Sequence, residues 1–263
     1  MEISMRRSRT LELLRAGKTV FSVKLGCTDP KYAEIAAMMG FPCIWVDAEH
    51  TANDYYVIKH QIMAAKIYDT DIMVRVPRGS YSDYIRPLEL DASGIMVPHV
   101  MSAEDAKRVV HMTRFHPIGR RPVDGGNADA RYGNIPQAEY NRIANDQRFI
   151  VLQIEDPEAM EQIDEIAAVP GYDMLFFGPG DFSHSIGHSG EMNHPDVVNG
   201  FVKVAEAARK HGKFAGTVGS MSNARERVEM GYQFMNIASD GSALRSCFRE
   251  VMKFSDGFPA NKL

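Results

Sequence analysis

Gln153 and Glu155 close the run Phe149-Ile-Val-Leu-Gln-Ile-Glu155, whose first six residues include five apolar ones. Such a run reads as a strand covered on both faces. Two residues apart on a strand, Gln153 and Glu155 point to the same side as the chain leaves the core. A carboxylate there must be paired, protonated or bound to metal. A second run, Met174-Leu-Phe-Phe177, ends in Gly178-Pro-Gly-Asp181, read as flexible backbone presenting another carboxylate. Carboxylates at the ends of successive strands suit a hard divalent cation such as Mg²⁺ or Mn²⁺, which takes oxygen ligands and keeps positions open for water or substrate. The competing reading makes Glu155 and Asp181 plain helix caps, and these two runs alone leave both standing.

Other runs end in chemistry of their own. Cys43-Ile-Trp-Val-Asp47 leads into Ala48-Glu49-His50, and Ile72-Met-Val-Arg-Val-Pro77 carries Arg75 between two valines. If Val74 and Val76 face outward, Arg75 faces inward, where a guanidinium needs an anion. Glu49 is the expected internal partner, and a substrate carboxylate or enolate the expected external one. His50, three residues after Asp47, suits a base oriented by that carboxylate. His99 follows a strand with no obvious acid nearby and ranks lower. Lys24 offers a rival route, a Schiff-base nucleophile, and ranks below the metal because it stands alone.

These residues need a scaffold that gathers strand ends. Strand patterns are read at Val20–Gly26, Cys43–Asp47, Ile72–Pro77, Gly94–Pro98, Phe149–Glu155, Met174–Phe177, Phe214–Gly219 and Phe234–Ala238. Helical patterns at Pro30–Met39, Ala52–Tyr68, Tyr81–Leu90, Ala103–Thr113, Pro157–Ala168, Pro195–His211 and Ser222–Met230 alternate with them, Ser102 serving as a cap. Thr10–Ala16 adds an N-terminal helix, and Ala243–Phe254 a last one. Strict alternation demands parallel pairing, and eight strands close a (β/α)₈ barrel with its active site at the strand C-termini. No Gly-x-Gly-x-x-Gly follows the first strand, as a doubly wound dinucleotide fold would have it. The long irregular segment Phe115–Tyr140 reads as a functional or interface loop.

At 263 residues with 44% hydrophobic content, residues 1–263 are expected to form one barrel domain with a sizeable core. A net charge of −4 with mixed signs argues against nucleic-acid and anionic-membrane partners. No run suits a membrane span, and three unspaced cysteines fit a reducing, cytoplasmic setting better than a disulfide framework.

Taken together, Val46-Asp-Ala-Glu-His50, Val74-Arg-Val-Pro77, Gln153-Ile-Glu155 and Phe177-Gly-Pro-Gly-Asp-Phe-Ser183, with Ala167-Ala-Val-Pro-Gly171 ahead of the sixth strand, resemble the HpcH/HpaI family of metal-dependent pyruvate aldolases. The likeness runs in the same order along nearly the whole chain. It implies a phosphoenolpyruvate-binding type of barrel, often a hexamer or trimer of dimers, with the last helix exchanged between subunits. It implies Glu155 and Asp181 as ligands to a divalent cation (Mg, Mn or Co) that chelates pyruvate or its enolate. By the same resemblance Arg75 stabilises the enolate oxygen, and Asp47 with His50 forms an acid/base dyad. Gln153 contacts the keto acid, the amides of Gly180 and Asp181 hold its carboxylate, and Glu49 joins the substrate-binding set. The sequence departs from the family pattern at Gly180, Phe182, Arg120-Arg-Pro122 and Asp156-Pro157, which bears on aldehyde specificity. The expected activity is reversible cleavage of a 4-hydroxy-2-oxo acid into pyruvate and an aldehyde through a metal-bound enolate. A citryl- or malyl-type lyase and a non-catalytic keto-acid-binding barrel are the alternatives.

Overall fold

The computed structural model describes residues 3–255. Its eight strands, β1 (Val20–Leu25), β2 (Cys43–Asp47), β3 (Asp71–Arg75), β4 (Gly94–Val97), β5 (Phe149–Ile154), β6 (Met174–Phe177), β7 (Phe214–Val218) and β8 (Phe234–Ser239), close in chain order into one barrel with every pair parallel. Strand alternation sorts the side chains into two apolar clusters. Cys43, Trp45, Met73, Met96, Phe149, Val151, Met174, Phe176 and Phe234 fill the interior. Ile44, Val46, Ile72, Val74, Ile95, Ile150, Leu152 and Leu175 face the surrounding helices. That split is what period two demands of a closed sheet.

Helix α1 (Arg9–Arg15) adds Leu11 and Leu14 to the interior cluster and so closes the N-terminal end of the barrel. The outer helices are α2 (Pro30–Met38), α3 (Tyr55–Lys66), α4 (Tyr81–Glu89), α5 (Ala103–Thr113), α6 (Gln137–Gln147), α7 (Pro157–Glu161), α8 (Ile163–Ala168), α9 (Pro179–Ser185), α10 (Pro195–Lys210), α11 (Ala224–Glu229) and α12 (Asp240–Ser255). Ser102 caps α5 through its hydroxyl, which accepts the Asp105 N–H at 3.1 Å.

Two local expectations need correction. The Pro157–Ala168 helix is two short helices, divided at Gln162, whose backbone leaves the helical region. The Gly178–Asp181 turn is not flexible backbone. Pro179, with its fixed φ and missing N–H, starts α9 there, and Asp181 lies in the first turn. The segment 115–140 packs a small core of its own with Met5, Phe115, Ala130, Ile135 and Tyr140, and Arg131 ties it to Asp91, which lies just ahead of β4. It therefore lies by the N-terminal ends of the strands, away from the ends that carry the candidate site.

Candidate active site

Inside the barrel the apolar layer ends with Trp45, Met73, Val151 and Phe176. Two residues further along each strand the inward positions are Asp47, Arg75, Gln153 and Gly178, so the same periodicity that builds the core places a polar layer directly above it. Asp47 and Arg75 are register partners on β2 and β3.

Arg75 is the fixed charge of this layer. Its Nε donates to Asp47 Oδ1 at 3.0 Å and its Nη2 to Oδ2 at 2.7 Å, while Nη1 lies 3.1 Å from Glu49 Oε2. Both predicted acids therefore hold the guanidinium, not Glu49 alone. Burial works against the charged guanidinium, but Asp47, Glu49 and Glu155 outweigh it and raise the group further. Asp47 is fully buried and also accepts the Glu49 backbone N–H at 3.1 Å, with Lys24 Nζ 2.6 Å from its Oδ2. Burial alone would lift its pKa; Arg75 and then Lys24 overcome this and hold it at about 2.

This arrangement corrects the expected Asp47–His50 dyad. A carboxylate offers about four lone-pair sites, and Arg75, Lys24 and the Glu49 amide occupy those of Asp47. His50 lies at the rim with its side chain 62% exposed, its Nε2 3.6 Å from Glu49 Oε2. Glu49, not Asp47, is the acid beside it. Lys24, weighed as a Schiff-base nucleophile, is likewise an ion-pair partner of Asp47.

Glu155 is buried (1% exposed), accepts the His99 backbone N–H at 3.1 Å, and is bonded by the Gln153 amide nitrogen. Burial first, opposed by His99 and assisted by the Asp181 charge, pushes its carboxyl up to about 7. Asp181 is exposed in the first turn of α9, as is Gly180. The first-turn amides of a helix have no intrahelical acceptor. A β-carbon at Gly178 would stand 2.5 Å from Glu155 Oε2 and 3.0 Å from Gln153 Nε2, so only glycine lets β6 approach these side chains.

His99 proves better connected than its sequence neighbours suggested. Its Nδ1 lies 3.0 Å from Asp156 Oδ2 and 3.7 Å from Glu155 Oε1, and its Nε2 3.9 Å from Glu49 Oε1. Burial would lower its pKa, but Asp156, Glu155 and Glu49 raise it. The sequence placed it after a strand but ranked it low for want of an acid; what sequence reasoning missed is the pairing with Asp156 and the close approach at Gly178.

Paired acids and an inward arginine at the C-terminal strand ends of a parallel eight-stranded barrel stand where enzymes of this fold carry their active sites. The chain belongs to the HpcH/HpaI aldolase/citrate lyase family, which it matches over residues 23–247. It is a carbon–carbon lyase. It is 34% identical over 256 residues to a hydroxypyruvate/pyruvate aldolase of Pseudomonas aeruginosa, covering 96% of this chain and 95% of the relative. A 5-keto-4-deoxy-D-glucarate aldolase of Klebsiella pneumoniae is 31% identical over 249 residues, 93% of this chain and 95% of the relative. The crystal structure of an HpcH/HpaI aldolase from Desulfitobacterium hafniense superposes with a TM-score of 0.89 at 32% identity, covering 95% of this chain and 97% of that one. The citrate synthase SbnG superposes at 0.86 with 26% identity, over 94% and 96% of the two chains.

Proposed function

We propose that the chain cleaves 4-hydroxy-2-oxo acids reversibly into pyruvate and an aldehyde, with a divalent cation held by Glu155 and Asp181. The observation that carries this reading is the placement of Arg75, fixed on Asp47 and Glu49, in the same inward layer as Gln153 and beside Glu155. The donor set suits a hard cation. Glu155 is a buried carboxylate within the influence of the Asp181 charge, and Gln153 Oε1 is a buried acceptor with no partner among the described residues. When bound, the cation supplies Lewis acidity to the keto acid oxygens.

In this reading cleavage removes the proton of the 4-hydroxyl and breaks the C3–C4 bond, releasing the aldehyde and leaving the electron pair on the pyruvate enolate, which takes up a proton from solvent at C3 to give pyruvate. Arg75 stabilises the developing charge on the C2 oxygen, and because Asp47 fixes its fork, little reorganisation accompanies the step. His50, beside Glu49, takes up the hydroxyl proton and returns it in the condensation direction. Gln153 contacts the keto acid, and the Gly180 and Asp181 amides hold its carboxylate. Relatives named for hydroxypyruvate/pyruvate and 5-keto-4-deoxy-D-glucarate aldol chemistry support this substrate class over the citryl or malyl alternative.

The test is a panel of 4-hydroxy-2-oxo acids with pyruvate detected through lactate dehydrogenase. Chelator should abolish turnover and Mg²⁺, Mn²⁺ or Co²⁺ restore it. Undiminished activity after chelation, with inactivation by borohydride in the presence of pyruvate, would transfer the chemistry to a lysine.

We also propose a homo-oligomer built through α12, in which no residue is buried and Phe248, Val251 and Met252 are 61%, 57% and 61% exposed. No helix among the described residues is long and apolar enough to cross a membrane. The cysteines Cys27, Cys43 and Cys247 are free, which supports a reducing, cytoplasmic setting.

A further inference from the structure

We infer that Lys24 makes the enzyme selective for aldehydes that carry a carboxylate, an inference that rests on the aldolase reading above. β1 lies four strands from β5 around the closed eight-stranded barrel, and so directly across it. The groups assigned to the pyruvyl half of the substrate, Gln153, Glu155 and Asp181, stand on β5 and just after β6, with Arg75 on β3 between them and the far wall. A substrate whose keto acid end is held at β5 and β6 therefore extends its aldehyde end toward β1 and β2, where the inward cation is Lys24, beside Asp47.

Lys24 is not consumed by the ion pair it makes. Arg75 already spans both oxygens of Asp47 and the Glu49 amide supplies a third donor, so the carboxylate is neutralised and hydrogen-bonded without the lysine. Lys24 adds a second positive charge at 2.6 Å. Its side chain is 27% exposed, against 5% for Arg75 and 0% for Asp47, so of the three it is the one that reaches the barrel mouth. An ammonium has three donors, and among the described residues its contacts are Asp47 and the Trp45 ring, 4.9 Å away. Trp45 lies under Arg75 as well, at 5.0 Å, and so forms an apolar floor between the two cations. The remaining ammonium donors suit an anionic oxygen on the incoming aldehyde, where a charge-assisted hydrogen bond is strongest.

The experiment measures aldol addition of pyruvate to glyoxylate and to glycolaldehyde, which differ in carrying a carboxylate or a hydroxymethyl group, by the parent enzyme, Lys24→Met and Lys24→Arg, all loaded with Mn²⁺. The quantity read is the ratio of the two kcat/KM values. Lys24→Met should lower the preference for glyoxylate about ten- to hundredfold, mainly through KM, the scale expected when one charged hydrogen bond is lost. Lys24→Arg, which keeps the charge, should retain the preference within about threefold of the parent. A proportional fall with both aldehydes in Lys24→Met would overturn the inference and leave Lys24 a support for Asp47 and Arg75. So would loss of the preference in Lys24→Arg with the glycolaldehyde kcat/KM intact. Exchange of pyruvate methyl protons into heavy water, which needs no aldehyde, is run alongside. Its absence in the loaded parent would overturn the aldolase reading and this inference with it, whereas its presence with an unchanged ratio overturns only the role of Lys24.

Discussion

Arg75 holds Asp47 through two parallel hydrogen bonds of 3.0 and 2.7 Å, and the carboxylate they engage is fully buried. Asp47 titrates at about 2 in the fold against an ordinary 3.8. A carboxyl with a depressed folded pKa contributes stability above its unfolded value and loses it as pH falls through the folded one. Asp47 should thus contribute about 2 kcal/mol at neutral pH, fading between pH ~4 and ~2. Urea titrations of the parent and Asp47→Asn should differ by about 3–5 kcal/mol at pH 7, since the variant leaves Lys24 without its anion and Arg75 with Glu49 alone. The gap should narrow below pH ~4, and a gap that stays constant to pH ~2 would show that the charge of Asp47 is not what stabilises.

Glu155 has the opposite sign. Burial lifts its carboxyl from 4.5 to about 7, so in the metal-free chain its contribution to stability is complete below 4.5 and lost as pH rises through about 7. A cation held by Glu155, as proposed, would compete with that proton. Mn²⁺ affinity measured by calorimetry should weaken as pH falls below about 7, approaching tenfold per unit, with proton release visible across buffers of different ionisation enthalpy. A flat affinity between pH 8 and 5.5 would remove Glu155 from the binding set.

Much of this arrangement was readable in advance because it follows from short-range periodicity. The eight strands and most helices come from alternation and caps, and period two alone put Arg75, Gln153 and Glu155 on the inward side. What stayed hidden depends on register between elements distant in sequence. Asp47 and Arg75 are neighbours because β2 pairs with β3 at that step, and nothing near Asp47 in the sequence shows that Arg75 will take the place expected for His50. His99 looked isolated because its acids come from the ends of β5 and β2. Helix α6 was hidden by the mostly polar surface sequence of Gln137–Gln147, in which only Tyr140 and Ala144 are buried.

Gly178 should tolerate no side chain. Alanine there would place its β-carbon 2.5 Å from Glu155 Oε2 and 2.9 Å from Glu155 Cβ, forcing the buried carboxylate or the end of β6 to move. Gly178→Ala should cost about 1–3 kcal/mol, the range for overpacking a buried site. It should also weaken Mn²⁺ binding at least about tenfold, as loss of ligand orientation does. Binding equal to the parent's in a folded variant would place the cation elsewhere.

Helix α12 exposes Phe248, Val251 and Met252, and a second copy of the chain is the proposed cover. Light scattering should give a multiple of the 29.4 kDa chain at micromolar concentration. Phe248→Glu with Met252→Glu should shift it toward monomer, because charge buried in an apolar contact is costly. The exchange hypothesis fails if the parent is already monomeric.

Arg75 and His50 should separate by function, because one is a fixed charge and the other a proton carrier at the rim. Arg75→Lys keeps the positive charge but loses the planar fork that spans Asp47 and reaches Glu49. If the guanidinium supports an enolate that exists only along the reaction path, this variant should lose turnover even at saturating substrate. His50, whose nearest acid is Glu49 at 3.6 Å, has no contact with Glu155 or Asp181 among the described residues. His50→Ala should therefore keep cation binding while turnover falls by roughly two to four orders of magnitude, the range for a positioned acid or base. Exchange of the pyruvate methyl protons into heavy water divides the two roles, since it requires enolisation but no aldehyde. Arg75→Lys should exchange much more slowly than the parent. If it exchanges at the parental rate, Arg75 does not stabilise the enolate and serves instead as the ion-pair partner that keeps Asp47 and Glu49 in place.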